Sequence, residues 1–243
     1  MIRVAADLHI HTALSPCGEK EMTPPAVLAQ AESNGLQMIA ITDHNTAKNT
    51  VPFWEAAKER NILVVPGMEV QTREEVHIIC LFPTPEEALA WQEYVYQHLP
   101  LAKNNEKLFG VQEVLNKEGE VVEIEERLLL TSTDLSVEEV VNEVNRRHGI
   151  CYPAHIDRPS FSIIASLGFI PPDLPISAVE ISRNITKSQA IAKFPYIKRY
   201  PVVGSSDAHR LAEISLPRTH FHLEELSFSA LIDAFKNSRI EVD

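Results

Sequence analysis

Apolar and polar positions along the chain alternate between two rhythms. Ile2–Leu8 is a short apolar run that predicts a strand, and residues 23–34 then carry apolar positions at helical spacing. Thr23 stands where a helix N-cap belongs, with Pro24 at the first turn and Gly35 just past the end. The exchange repeats: strands are expected at Met38–Thr42, Ile62–Pro66 and Val76–Phe82, with helices at Val51–Arg60 and Pro85–Leu99. Residues 100–135 interrupt the rhythm, being charged, containing Gly110 and Gly119, and offering one short β segment at Val121–Ile124. They are expected to form an inserted excursion outside the wall of the fold. Ser136 with Glu139 three residues on is a capping box that restarts a helix to Arg147. Strands at Gly149–Ala154, Ala178–Ile181 and Val202–Gly204 and a last helix at Ser227–Asn237 complete the pattern. Apart from the segment in the excursion, that is seven strands. Their alternation with helices predicts an α/β fold with a parallel sheet, most economically a closed barrel, in one domain over residues 1–243.

Composition narrows the picture. A 243-residue chain with 44% hydrophobic residues can bury a single sizeable core. Cys17, Cys80 and Cys151 are odd in number and widely spaced, which fits a reducing compartment better than a disulfide framework. The opening residues lack a signal-peptide pattern and no later apolar run reaches membrane-spanning length, so a soluble, cytoplasmic protein with no membrane partner is expected. A formal charge of −12 repels a polyanion, and no basic stripe offsets it, so an extended nucleic-acid surface is not expected. Bound cations would reverse that sign locally, so a small anionic substrate stays compatible. No phosphate-binding glycine loop, dinucleotide fingerprint or serine-nucleophile elbow is present.

The chemistry is in the placement of the histidines. His9 and His11, Asp43-His44, Glu69, His155, and Asp207 with His209 each fall at or just past the C-terminal end of an expected strand, and His77 is read with them although it stands at the start of Val76–Phe82. Barrels put their active sites at that rim. His98, His148, His220 and His222 lack such placement and are expected to be structural or surface residues. In Asp7-Leu8-His9-Ile10-His11 the two imidazoles fall on one side of an extended chain, where they can share a cation. Taken alone, that pair also fits two hydrogen-bonded histidines, Asp207 fits a cap and Glu69 a buried salt bridge. Their joint placement favours a mixed nitrogen and oxygen site suited to Zn, Mn or Fe.

Asp7-Leu8-His9-Ile10-His11, Thr42-Asp43-His44, Gly67-Met68-Glu69, Val76-His77-Ile78, Pro153-Ala154-His155 and Ser206-Asp207-Ala208-His209 together resemble, in order, the motifs of the PHP family, named for polymerase and histidinol phosphatase. The resemblance covers nearly the whole chain. It implies a distorted seven-stranded (β/α)7 TIM-like barrel, two or three divalent metal ions, and hydrolysis of phosphate esters. By that likeness His9, His11, Glu69 and Asp207 hold one ion, Glu69, His77 and His155 a second, and His44 with His209 a third. The family usually draws a further ligand to the third ion, Asp or His, from the loop after the first strand. Here that loop reads Ser15-Pro16-Cys17-Gly18-Glu19-Lys20-Glu21, so Glu19 is the first candidate and Cys17 the second.

For a small phosphorylated substrate, such a site needs no side-chain nucleophile, because water activated by the ions attacks phosphorus. Asp43 and Asp207 are the catalytic candidates, either orienting ligating imidazoles or accepting a proton from the water. Arg158 and Arg183 follow expected strand ends and are candidates to grip a phosphate, against the alternative of surface ion pairs with Asp157 or Glu180. Cys80 and Cys151 lie within apolar strands and read as core residues. Two rival readings exist. An amidohydrolase-like C–N hydrolase also begins from His-x-His, but commonly carries a bridging Lys that no expected strand exit supplies here. The other rival is a non-catalytic, metal-binding regulatory module.

Overall fold

The computed structural model describes residues 1–214 and 218–243. Its strands are β1 (Ile2–Ile10), β2 (Met38–Ile41), β3 (Leu63–Gln71), β4 (His77–Leu81), β5 (Glu113–Leu115), β6 (Val121–Ile124), β7 (Ile150–Pro153), β8 (Val179–Ile181), β9 (Val202–Gly204), β10 (Thr219–Leu223) and β11 (Ile240–Val242). The helices are α1 (Pro24–Ser33), α2 (Thr50–Ala56), α3 (Pro85–Gln97), α4 (Glu106–Phe109), α5 (Val137–Arg146), α6 (Ile163–Leu167), α7 (Lys187–Lys193) and α8 (Phe228–Lys236). None of the described helices is long and apolar enough to cross a membrane.

Seven strands form one curled sheet in the order β11-β10-β1-β2-β3-β4-β7, and β8-β9 form a parallel pair. Backbone hydrogen bonds tie that pair to the sheet on both sides. Ser177 N–H donates to Cys151 and Ile156 N–H to Glu180 beside β7, and His11 N–H donates to Ala208 just after β9. The result is an α/β fold with a seven-stranded half-barrel sheet, in keeping with the distorted barrel expected. The all-parallel sheet is corrected: β1, β2 and β3 are parallel, but β4 runs antiparallel to both β3 and β7. Three strands also went unforeseen: β5 paired with β6, β10 against the first half of β1, and β11 beyond it.

His77 opens β4, as it stands at the start of the expected strand Val76–Phe82. The antiparallel register sets it opposite Gln71, the last residue of β3. His77 therefore reaches the same rim as Glu69. The expected end of β3 at Pro66 is also moved, since the strand runs on through Glu69.

Alternation along the strands separates two layers. Val4, Ala6, Leu8, Val65, Ile79, Leu81 and Tyr152 pack inward with α8, while Met68, Val70, Ile78 and Cys80 pack outward against the helical layer of Trp91, Val95 and Val140. A register shift in β1 between Asp7 and Ile10 marks a bulge just where His9 leaves the apolar core. Helix ends match their sequence signals: Thr84 caps α3, and Ser136 with Glu139 forms the capping box of α5.

On β3, Val65, Gly67 and Glu69 share a face because strand side chains alternate. A methyl group at Gly67 would lie 2.8 Å from the Cys80 carbonyl oxygen and 2.7 Å from Leu81 Cδ2, so only glycine lets β3 and β4 approach this closely. Gly67→Ala is expected to lower unfolding stability by about 1–3 kcal/mol in a denaturant titration. A variant as stable as the parent contradicts this reading of the hairpin.

Candidate metal centre

Glu69 is buried at the end of β3 and touches five imidazoles. Its Oε1 lies 2.9 Å from His77 Nδ1, 3.3 Å from His9 Nε2 and 3.3 Å from His155 Nε2, and its Oε2 lies 3.0 Å from His44 Nδ1 and 3.4 Å from His11 Nε2. Asp207 adds a second carboxylate, with Oδ1 3.2 Å from His9 Nε2 and 3.1 Å from His11 Nε2. His209 is half-buried beside this group, its ring stacked on His11 at 4.1 Å. Three sets bring ligand atoms within reach of a common point: His9, His11 and Glu69; His44, Glu69 and His77; and His11, His44 and His209.

Several observations fit cations at these points. His9 Nε2 and His11 Nε2 are 3.0 Å apart, a separation that calls for either a proton shared between the two nitrogens or a cation beside them. Glu69 Oε2 makes no well-directed hydrogen bond despite being buried, although His44 is near it. Such an orphaned buried carboxylate oxygen needs a partner. The donor set of imidazoles and carboxylates suits divalent ions of the first transition row.

A second tier of groups fixes the tautomers. Glu180, buried on β8, accepts from His9 Nδ1 at 3.0 Å and from the His155 backbone N–H at 3.1 Å. The proton of His9 is thus held on Nδ1, and Nε2 faces the cluster. Asp43 accepts from the Thr12 N–H and hydroxyl, each at 2.7 Å, and from the Ser15 hydroxyl at 2.6 Å. Ser15 Oγ in turn accepts from His11 Nδ1 at 2.9 Å, so Asp43 sets the His11 ring through Ser15. His209 Nδ1 donates to the Asp207 carbonyl at 3.0 Å.

Charges in the cluster are mutually enforced. Burial works against the charge on Glu69, but His77, His9 and His11 hold its carboxyl well below the usual range, and His9 and His11 do the same for Asp207. Burial likewise opposes a proton on His11, yet the two carboxylates push it up to about 9. Not every ring can follow. Burial lowers His77 to about 4, and burial together with the His11 charge lowers His209 to about 3. The backbone is strained here too: His155 and Asp207 have φ of 30° and 52°, in the left-handed region that non-glycine residues rarely adopt.

The structure gathers His9, His11, His44, Glu69, His77, His155, Asp207 and His209. Arg158 joins them, its Nη1 2.6 Å from Asp207 Oδ2. Asp43 stands behind the cluster rather than in it. Glu19 points away: its exposed carboxylate is 3.4 Å from Arg210 Nε, while Cys17, in the same loop, helps hold a proton on His44. Arg183 is exposed, 3.0 Å from Glu213, and does not line the cavity over the cluster. Glu180 and Ser15 were missed as functional residues. Glu180 follows an apolar run one residue before a strand end and had a readable signal. Ser15 had none.

Residues 7–145 match the PHP domain family and residues 196–240 match the PHP-associated family. The first match exceeds half of the chain, and this protein belongs to the PHP family. Its fold is that of the metal-dependent phosphoesterases, with buried His and Glu clusters of the kind that hold several ions. Among curated proteins, an uncharacterized protein of Methanocaldococcus jannaschii is 39% identical over 77 residues, a match covering 28% of this chain and 45% of that one. A lesion-specific endonuclease of Pyrococcus furiosus shares the fold with a TM-score of 0.66 and 22% identity, over 97% of this chain and 56% of the other. The chain thus spans about half the length of these relatives. A Bifidobacterium adolescentis protein assigned as a metal-dependent phosphoesterase aligns over 99% of this chain and 97% of its own, with a TM-score of 0.62 and 18% identity.

Glu180→Gln keeps an acceptor in place but removes its charge from behind His9. The expected outcome is a tenfold or greater loss of metal affinity, of the order of 10–100-fold seen when outer partners are removed, with the fold retained in circular dichroism. Unchanged affinity in a metal titration contradicts the positioning role.

Proposed function

We propose that this protein hydrolyses phosphate esters of small molecules at the Glu69 cluster, using two or three divalent ions drawn from Zn, Mn or Fe. The observation that carries the reading is the single buried carboxylate of Glu69 among five imidazoles. His9, His11, Glu69 and Asp207 would hold one ion, Glu69, His77, His44 and His155 a second, and His11, His44 and His209 a third, with Cys17 better placed than Glu19 to complete it. When bound, such ions polarise phosphoryl oxygens and acidify water at the site.

The chain's own residues do the rest. Water adds to phosphorus, the ester P–O bond breaks, and the alcohol leaves with a proton. Arg158, held by Asp207 and open to the cavity, is the group that meets a phosphoryl oxygen, and its planar fork suits that geometry. Asp43 keeps the His11 ring in place through Ser15, and both of its oxygens are occupied by Thr12 and Ser15, so it is a positioning residue rather than a proton acceptor. Asp207 reaches the reacting region directly. A net charge of −12 does not exclude nucleic acid as a substrate, because a protein of the same fold is a lesion-specific endonuclease. A cavity of about 570 Å³ over the cluster is of a size to take a small ester.

Metal-loaded protein is expected to release phosphate from phosphomonoesters, and a chelator to stop it. His9→Ala and Asp207→Ala should bring turnover to background with the fold retained, whereas His98→Ala, whose ring pairs with Asp134 at 2.7 Å outside the cluster, should not. Equal activity in all three variants contradicts the site. Cleavage of amides alone favours a C–N hydrolase, and bound metal without any turnover favours a binding module.

A further inference from the structure

Phe161 stands at the edge of the cavity over the cluster with 42% of its surface exposed. Its backbone has a φ of 54°, a left-handed conformation that a bulky side chain adopts at a cost and that Gly or Asn would take readily. The conformation is held in place. The Phe161 carbonyl accepts from the His77 N–H at 3.0 Å, and Ser162, next in sequence, caps α6. The Ser162 hydroxyl also donates to the Arg158 carbonyl at 2.7 Å, closing the loop so that Arg158 and Phe161 keep a fixed spacing. The ring lies nearly parallel to His77, 4.8 Å between centroids and 19° between planes. That contact uses one face of the ring. A ring serving only to shield His77 would be buried as His77 is, not left open at the mouth of the cavity.

Leu130 lines the same cavity, and its neighbours are anchored by Asn45, whose amide donates to the Leu129 and Thr131 carbonyls at 2.8 Å. The cavity is about 570 Å³, within the range that takes a small organic molecule and far more than a phosphate group fills. One short loop therefore offers a cation for the phosphoryl end and, three residues on, an oriented aromatic face, both lining the cavity that Leu130 also lines. From this geometry we infer that the substrate is a phosphate ester whose alcohol carries a planar ring, and that Phe161 is the stacking platform that selects it. The inference rests on the hydrolase reading above for its phosphate end, and its ring subsite stands on separate residues.

The test compares benzyl phosphate with cyclohexylmethyl phosphate, whose leaving alcohols have similar acidity and size but differ in planarity. Metal-loaded wild-type protein is expected to prefer the benzyl ester by about tenfold in kcat/KM, the scale of one aromatic stack. Phe161→Asn, which accepts the left-handed backbone, and Phe161→Leu, which keeps apolar bulk, should both bring that ratio close to one, and Phe161→Trp should keep or raise it. A ratio unchanged by loss of the ring overturns the inference. Calorimetric binding of benzylphosphonate and cyclohexylmethylphosphonate separates the two claims. A benzyl preference lost in Phe161→Asn supports the subsite even if no ester is turned over, which would fault the hydrolase reading alone. Equal affinity of wild-type protein for the two phosphonates overturns the subsite whatever the turnover.

Discussion

A carboxylate buried among five imidazoles is the constraint on which the rest of the architecture depends. Glu69 is 1% exposed, and removing such a charge from water is expensive unless positive charge compensates it closely. Protons supply part of that compensation, but burial keeps His77 and His209 from carrying them. Divalent ions would compensate in another way, accepting lone pairs from the rings and from the Glu69 and Asp207 carboxylates at once. The cluster is therefore built to be completed by cations.

That demand is met by backbone features well away from the ions. Gly67 lets the β3–β4 hairpin close tightly, which sets Glu69 and His77 at one rim although their strands run in opposite directions. The bulge in β1 frees His9 and His11 from the apolar core. Left-handed backbone at His155 and Asp207 aims two more side chains inward, and an apolar core on both faces of the sheet supports this strain. Glu180 and the Asp43–Ser15 pair then lock the rings that the strands deliver.

Much of this was legible in the sequence because histidine and carboxylate pairs recurred at strand ends, a pattern with few other causes. His9, His11, His44, Glu69, His155, Asp207 and His209 were found that way. Strand direction was not legible. A strand buried on both faces reads as the same apolar run whether parallel or antiparallel. Pro66 looked like a strand end, and the turn Thr72–Glu75 lacks the Gly or Asn that marks a hairpin, its positive φ falling on Glu75. Glu19 looked like a ligand by residue type, but its backbone N–H is bonded to His209 and its side chain turns outward to Arg210. Phe161 gave no signal, since a lone phenylalanine in a loop differs from a core residue only by its exposure.

The most direct test of the central claim is anomalous X-ray diffraction from crystals of protein purified without chelators, recorded at the Mn, Fe and Zn edges. The account predicts at least two anomalous peaks within bonding distance of Glu69, one of them also bonded to His9 and His11. Well-ordered crystals of metal-supplemented protein with no peak at Glu69, or with ions only at other sites, would contradict it.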